Sequence, residues 1–277
     1  MADGCRDISK IVTTFLLNTC RLPPRHCDVQ AAAMCAEAVG GHPVDNEKSE
    51  FIPLITGSVA EFYIEPMLPH VGDIDVMYHF NTQLAIPRGH PPPTQLPAEF
   101  YYYVKVVEII DSQFPGYVYL PIHYLLTQCI DDGKYNCTEY EEGQYYSNQF
   151  YCNSDMSANQ STHGPARFAD NSHTSYLSVD SVYCIRCLSW PPQADDWPTR
   201  NRNYDWPDSA TLDRVVSCGC DVVGVAHRQC RQHEWVGKYQ WRLSFSRAEI
   251  VLINSWMPLQ QDCLSCATIF RKDRGID

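Results

Sequence analysis

Gly72-Asp73-Ile74-Asp75-Val76-Met77-Tyr78 decides the reading of this chain. Ile74 and Val76 alternate with Asp73 and Asp75 at period two, the mark of a strand. Residues i and i+2 of a strand point the same way, roughly 6.5–7 Å apart, so both carboxylates share a face. They repel one another unless a cation lies between them, and hard Mg²⁺ takes one or two carboxylates together with phosphate oxygens. Upstream, Phe51–Thr56 reads as a buried strand running into Gly57-Ser58, a turn whose backbone N–H groups and hydroxyl suit phosphates. Downstream, Asp180 in Ser178-Val179-Asp180-Ser181-Val182-Tyr183 is an acidic residue inside an apolar strand, costly unless paired or metal-bound. The set suits two-metal nucleotidyl transfer. Each part also has a plainer reading: Asp-x-Asp is common on solvated strands, Gly-Ser is a turn, and Asp180 is a strand-end residue facing water.

Outward from that stretch, the pattern is helices first and then a largely non-local sheet. Ile8, Ile11, Val12, Phe15 and Leu16 repeat with helical spacing up to Pro23-Pro24, and an alanine-rich helix follows Asp28 and ends at Gly40-Gly41. Phe100–Ile110, Tyr117–Ile122, Tyr176–Leu188, Val222–Ala226 and Gln240–Phe245 read as strands. Residues 131–172 turn polar and are expected as a long surface loop or a partly disordered insertion. Asp208 caps a short helix that carries Leu212, Val215 and Val216 and stops at Gly219. Ser246-Arg247-Ala248-Glu249 reads as a capping box opening a last helix through about Trp256. The fold class is α+β, or mixed α/β.

The 277 residues carry 44% apolar and 19% charged side chains, which excludes global disorder. No apolar run reaches the roughly 20 residues of a membrane-spanning helix. Asp3 and Asp7 occupy the place of a signal peptide's basic region, so the expected setting is cytoplasmic or nuclear, with no membrane partner. Fourteen cysteines fall short of a disulfide scaffold, and Asn136-Cys137-Thr138 and Asn159-Gln160-Ser161 are then chance glycosylation matches. The net charge is −12, yet residues 200–247 hold eight basic against five acidic side chains, a local +3. That asymmetry fits a site for something anionic, or scattered solvated arginines.

Several ordered motifs together resemble the Mab-domain family of cGAS-like receptors. They are Gly57-Ser58, Gly72–Tyr78, Val179-Asp180, Cys187–Ala194, the run from Trp197-Pro198 to Trp206-Pro207, and Trp241-Arg242-Leu243-Ser244-Phe245-Ser246 with Glu249. The resemblance covers about residues 5–260. It implies a nucleotidyltransferase fold with an N-terminal spine helix and a central mixed sheet. It also implies an innate immune sensor of double-stranded RNA or DNA that joins ATP and GTP into a cyclic dinucleotide. By position, Asp73, Asp75 and Asp180 would hold Mg²⁺ or Mn²⁺ and act as the catalytic carboxylates. Gly57 and Ser58 would cradle the triphosphate, Arg242 and Ser244 would touch nucleotide base or phosphate, and Glu249 would lie close by. The basic window, with Arg6, Lys10, Arg21 and Arg25, would be the ligand-sensing face, with no individual nucleic-acid-binding residue assigned.

Two departures are visible. Cys218, Cys220, Cys230 and His233 lie near the place of the family's zinc thumb without its spacing, so no zinc site is expected. Cys184-x-x-Cys187 sits in a strand where residues three apart face opposite ways, so the two are expected as separate core cysteines. The domain is expected over 1–260. Residues 261–277 do not resemble the family's helical C-terminal lobe and are expected to form a divergent tail in its place. Three readings therefore stand beside one another: a metal-dependent cyclic dinucleotide synthase, a non-catalytic Mab-domain protein that binds nucleotide, nucleic acid or protein, and a structural relic.

Overall fold

The computed structural model describes residues 51–57, 73–140, 143–148, 160–163, 166–169, 178–202 and 206–256. The two N-terminal helices expected from the sequence, the spine helix among them, lie outside those residues, as do Ser58 and the stretch 261–277. Eleven described strands form one mixed sheet: β1 (Phe51–Thr56), β2 (Asp73–Pro87), β3 (Tyr103–Asp111), β4 (Tyr117–Tyr119), β5 (Ile122–Gln128), β6 (Tyr135–Glu139), β7 (Gln160–His163), β8 (Ala166–Ala169), β9 (Ser178–Cys187), β10 (Cys220–Val223) and β11 (Gln240–Ser244). Three described α-helices join them, α1 (Ser209–Ser217), α2 (Glu234–Tyr239) and α3 (Ser246–Asn254), with a 3-10 turn at Pro192–Ala194.

The strand ladder closes on itself. β2 pairs in parallel with β3 at one flank and with β9 at the other, and β3–β4–β11–β10–β9 are antiparallel neighbours in turn. A closed ladder leaves no unpaired edge around its circuit. Inside it lies the main core: Ala85, Val107, Ile109, Val118, Leu120, Ile185, Cys187, Cys220, Val222 and Trp241, with Tyr146 and Phe245 against them. Trp241 is fully buried, and its indole N–H donates to Tyr146 O at 3.0 Å. A second cluster, built on Phe100, Val104, Val106, Leu126 and Tyr135, lies beneath β5 and β6.

Local chemistry explains most of these elements. Asp208 accepts from Thr211 N at 2.7 Å and caps α1 as its sequence predicts. Gly219 ends that helix at φ +64, where a Cβ would stand 2.3 Å from Cys187 O, so only glycine fits. Cys184 and Cys187 are both buried, but Cys184 packs with Met77 and Val223 while Cys187 belongs to the closed core. Three expectations need correction. Residues 131–172 contain β6, β7 and β8 rather than only loop, because backbone pairing to β5 and β9 orders a polar sequence. Ser246 does not cap α3: the N-cap position falls on Phe245 with no side-chain cap, and Ser246 Oγ instead lies 3.1 Å from Ser244 Oγ. Tyr117–Ile122 splits at Pro121 into β4 and the start of β5. Replacing Trp241 by Ala should cost about 3–5 kcal/mol by emptying the centre of the closed core. Urea denaturation read by circular dichroism checks it.

Candidate functional site

Register assembles the site. β9 runs parallel to β2 with Asp73 opposite Ser178 and Asp75 opposite Asp180. Adjacent strands lie about 4.8 Å apart and partner residues point to the same face. So two carboxylates separated by more than a hundred residues become neighbours, while Asp73 sits one pleat along on the same strand. The Asp73 side chain lies outside the described residues.

β1 brings the glycine. It pairs antiparallel with β2, Thr56 opposite Asp75, and Thr56 Oγ1 donates to Asp75 O at 3.4 Å. Gly57 follows at φ +65, and a Cβ built there would fall 2.0 Å from Asp75 Oδ2. The Asp75 carboxylate thus occupies the space a side chain at 57 would take. This sequence places glycine there for two reasons, backbone conformation and room for the carboxylate.

Further along the same face the sheet turns apolar and then charged. Met77, Val182 and Leu54 follow the carboxylates, packed with Cys184, Val223 and Val225. Next comes an ion cluster that the sequence did not reveal. Asp221 on β10 is fully buried; its Oδ1 lies 2.9 Å from His79 Nε2 and 3.5 Å from Arg186 Nη1, and its Oδ2 lies 3.4 Å from Arg247 Nε. His79 Nδ1 faces Ile52 O at 3.1 Å. Arg186 Nη1 donates to Cys187 O and Cys220 O at 2.8 Å each, and Nη2 donates to Cys218 O at the C-terminus of α1. Burial alone would push the Asp221 carboxyl up. The hydrogen bond from His79 and the charges of His79, Arg247 and Arg186 outweigh it, and the carboxyl is held below the usual carboxylate range.

Arg242 and Ser244 alternate with the inward-facing Trp241 and Leu243, so they stand on the outer face, opposite Val223 and Asp221 of β10. That is the carboxylate face, at a distance along the sheet from Asp75. Glu249 is exposed in the first turn of α3. The cysteines and histidine near the zinc-thumb position do not share one place: Cys220 lies in the core opposite Cys187, His233 Nδ1 accepts from Val236 N at the start of α2, and Gln113 Nε2 donates to Cys230 Sγ at 3.8 Å.

Residues 127–255, from the end of β5 to just past α3, match the Mab-21 protein nucleotidyltransferase domain. Among the described residues, the strand-rich mixed sheet with its few helices fits a nucleotidyltransferase-type domain. Over those residues the chain is similar to that family. The match includes Asp180, Arg242, Ser244 and Glu249, while Gly57, Ser58, Asp73 and Asp75 lie upstream of it.

Two outcomes follow from this geometry. Gly57→Ala should destabilise the fold by about 1–3 kcal/mol through left-handed strain and collision with Asp75, measured by chemical denaturation. Asp221→Asn should cost about 3–5 kcal/mol at neutral pH by leaving buried cations uncompensated. Because the folded carboxyl is depressed, its stabilisation is complete above its unfolded value of about 3.9 and is lost as pH falls through the lower folded value. The gap in unfolding free energy between wild type and Asp221→Asn should therefore close below about pH 4.

Proposed function

We propose that this protein is a metal-dependent nucleotidyltransferase of the cGAS-like receptor type, joining ATP and GTP into a cyclic dinucleotide when double-stranded nucleic acid is present. The observation that carries the reading is the register of Asp75 with Asp180, with Asp73 one pleat away and Gly57 clearing space at the carboxylate. Asp75 and Asp180 paired on one sheet face, with Asp73 two residues back on β2, are hard oxygen donors of the kind Mg²⁺ or Mn²⁺ takes. Asp73, Asp75 and Asp180 would hold the cations, which supply activation of the attacking hydroxyl and stabilisation of the leaving pyrophosphate.

This chain's own residues do the rest. The Gly57-Ser58 turn offers backbone N–H groups and a hydroxyl to the triphosphate. Arg242 and Ser244, on the outer side of β11, contribute a guanidinium and a hydroxyl on the carboxylate face, suited to base edges and phosphate oxygens. Glu249 stands exposed one helical turn beyond them. The basic residues of 200–247 supply attraction for a polyanion in an otherwise acidic chain.

The test is incorporation of labelled ATP and GTP with Mg²⁺ or Mn²⁺, with and without double-stranded RNA and DNA, beside an Asp73→Asn/Asp75→Asn double variant. Wild type should give a cyclic product and the variant less than about a hundredth of it, since losing metal-stabilised charge costs several kcal/mol. Dependence on one nucleic acid names the trigger. A folded wild type as silent as the variant would leave the non-catalytic Mab-domain reading in its place.

A further inference from the structure

Among the described residues, α3 shows only modest apolar burial. Ala248 is its one fully buried residue, and Ile250, Val251, Leu252 and Ile253 are half-buried. Such a surface holds a helix near a sheet but fixes its position poorly, because apolar attraction is non-directional. Attraction between unlike charges held close together in a buried place restricts that position further.

Arg247, the second residue of α3, provides one such charge. Its Nε lies 3.4 Å from Asp221 Oδ2, and its Nη2 lies 3.4 Å and 3.5 Å from the two ring nitrogens of His79. His79 is on β2, four residues beyond Asp75, hence about 13 Å along the same strand face. Asp221 is the register partner of Ser244 on β11. One guanidinium therefore touches the strand that carries Asp73 and Asp75 and the strand beside Ser244. Arg186 holds the same carboxylate from β9, the strand of Asp180. The side chain of Arg247 is 25% exposed while those of Asp221 and His79 are sealed, so the contact lies at the outer rim of the buried cluster.

We propose that Arg247 is a positioning residue: drawn to the Asp221 carboxylate and packed beside the His79 ring, it sets α3 and the Arg242–Ser244 end of β11 relative to the carboxylate strands. Nucleotide groups held by Arg242 and Ser244 then meet the Asp73–Asp75–Asp180 face in a fixed relation. The inference rests on the nucleotidyltransferase reading of that face. Arg247 itself touches neither the carboxylates nor the nucleotide in this account.

The experiment uses the full chain and two equilibrium readouts, Mn²⁺ binding by electron paramagnetic resonance and binding of a fluorescent ATP analogue with Mg²⁺, each beside a thermal melt. Arg247→Gln should weaken the analogue about tenfold, in the range of coupled contacts, while Mn²⁺ affinity changes less than about twofold. Arg247→Lys keeps the charge but not the planar fork, and should recover part of the loss. Asp221→Asn combined with Arg247→Gln should bind the analogue no more weakly than the worse single variant. Analogue binding unchanged in Arg247→Gln overturns the inference alone. So does a parallel fall of Mn²⁺ affinity, analogue affinity and melting temperature, which is the signature of a merely structural role. A folded wild type that binds neither Mn²⁺ nor the analogue overturns the carboxylate reading, and this inference with it.

Discussion

The parallel pairing of β2 with β9 is the constraint on which the rest depends. It closes the strand circuit around Trp241 and Ile185, and it also sets Asp75 beside Asp180. A slip of one residue would turn every side chain of β9 to the opposite face. Asp180 would then enter the aromatic side, where Phe51, Tyr78, Phe80 and Tyr183 pack against one another. Tyr183 would move to the carboxylate side. Both errors cost burial and charge together, so the core that stabilises the sheet also specifies the site. Parallel strands need long crossovers, which is why the two acidic motifs lie so far apart in sequence.

Strand chemistry was legible where it is local. The alternation around Ile74 and Val76 marks β2, and the aromatic and β-branched runs mark β3, β9, β10 and β11. The length of β2 was not, because Asn81, Thr82 and Gln83 break the apolar pattern in mid-strand. Those polar residues fall where the β2–β9 register shifts, between His79 and Leu84. β6, β7 and β8 are polar sequences recruited by neighbours, and α2 contains Gly237 and no apolar period long enough to announce it. The capping box illustrates the converse failure: its residue types are right for a cap, yet the chain enters α3 one residue early and Ser246 turns to Ser244.

The candidate site divides in the same way. Its carboxylates were proposed from motif spacing and from a family resemblance, and the match over residues 127–255 bears out the resemblance while taking in Asp180 but not Asp73 or Asp75. Asp221, His79 and Arg247 were not. Singly, each has an ordinary surface interpretation, and only tertiary pairing across 142 positions for His79 and Asp221 reveals the cluster. Buried charge is a signal that sequence composition hides, because the residue types are unchanged by where they end up.

The cluster poses an energetic question of its own. A buried ion group is often no more stabilising than apolar residues of equal volume, since desolvation offsets the Coulomb attraction. Stability therefore gives little reason to place Asp221 among Arg186, His79 and Arg247 when Met77, Val182 and Val223 show that apolar residues fill the neighbouring part of the face. What an apolar patch cannot supply is direction. Arg186 donates to the Cys218 carbonyl at the end of α1, His79 reaches Ile52 of β1, and Arg247 leads α3, all converging on one carboxylate. Any rigid shift of one element strains contacts to the others. The protein thus keeps a costly group where several elements must agree in position, on the sheet face shared with Asp75 and Asp180.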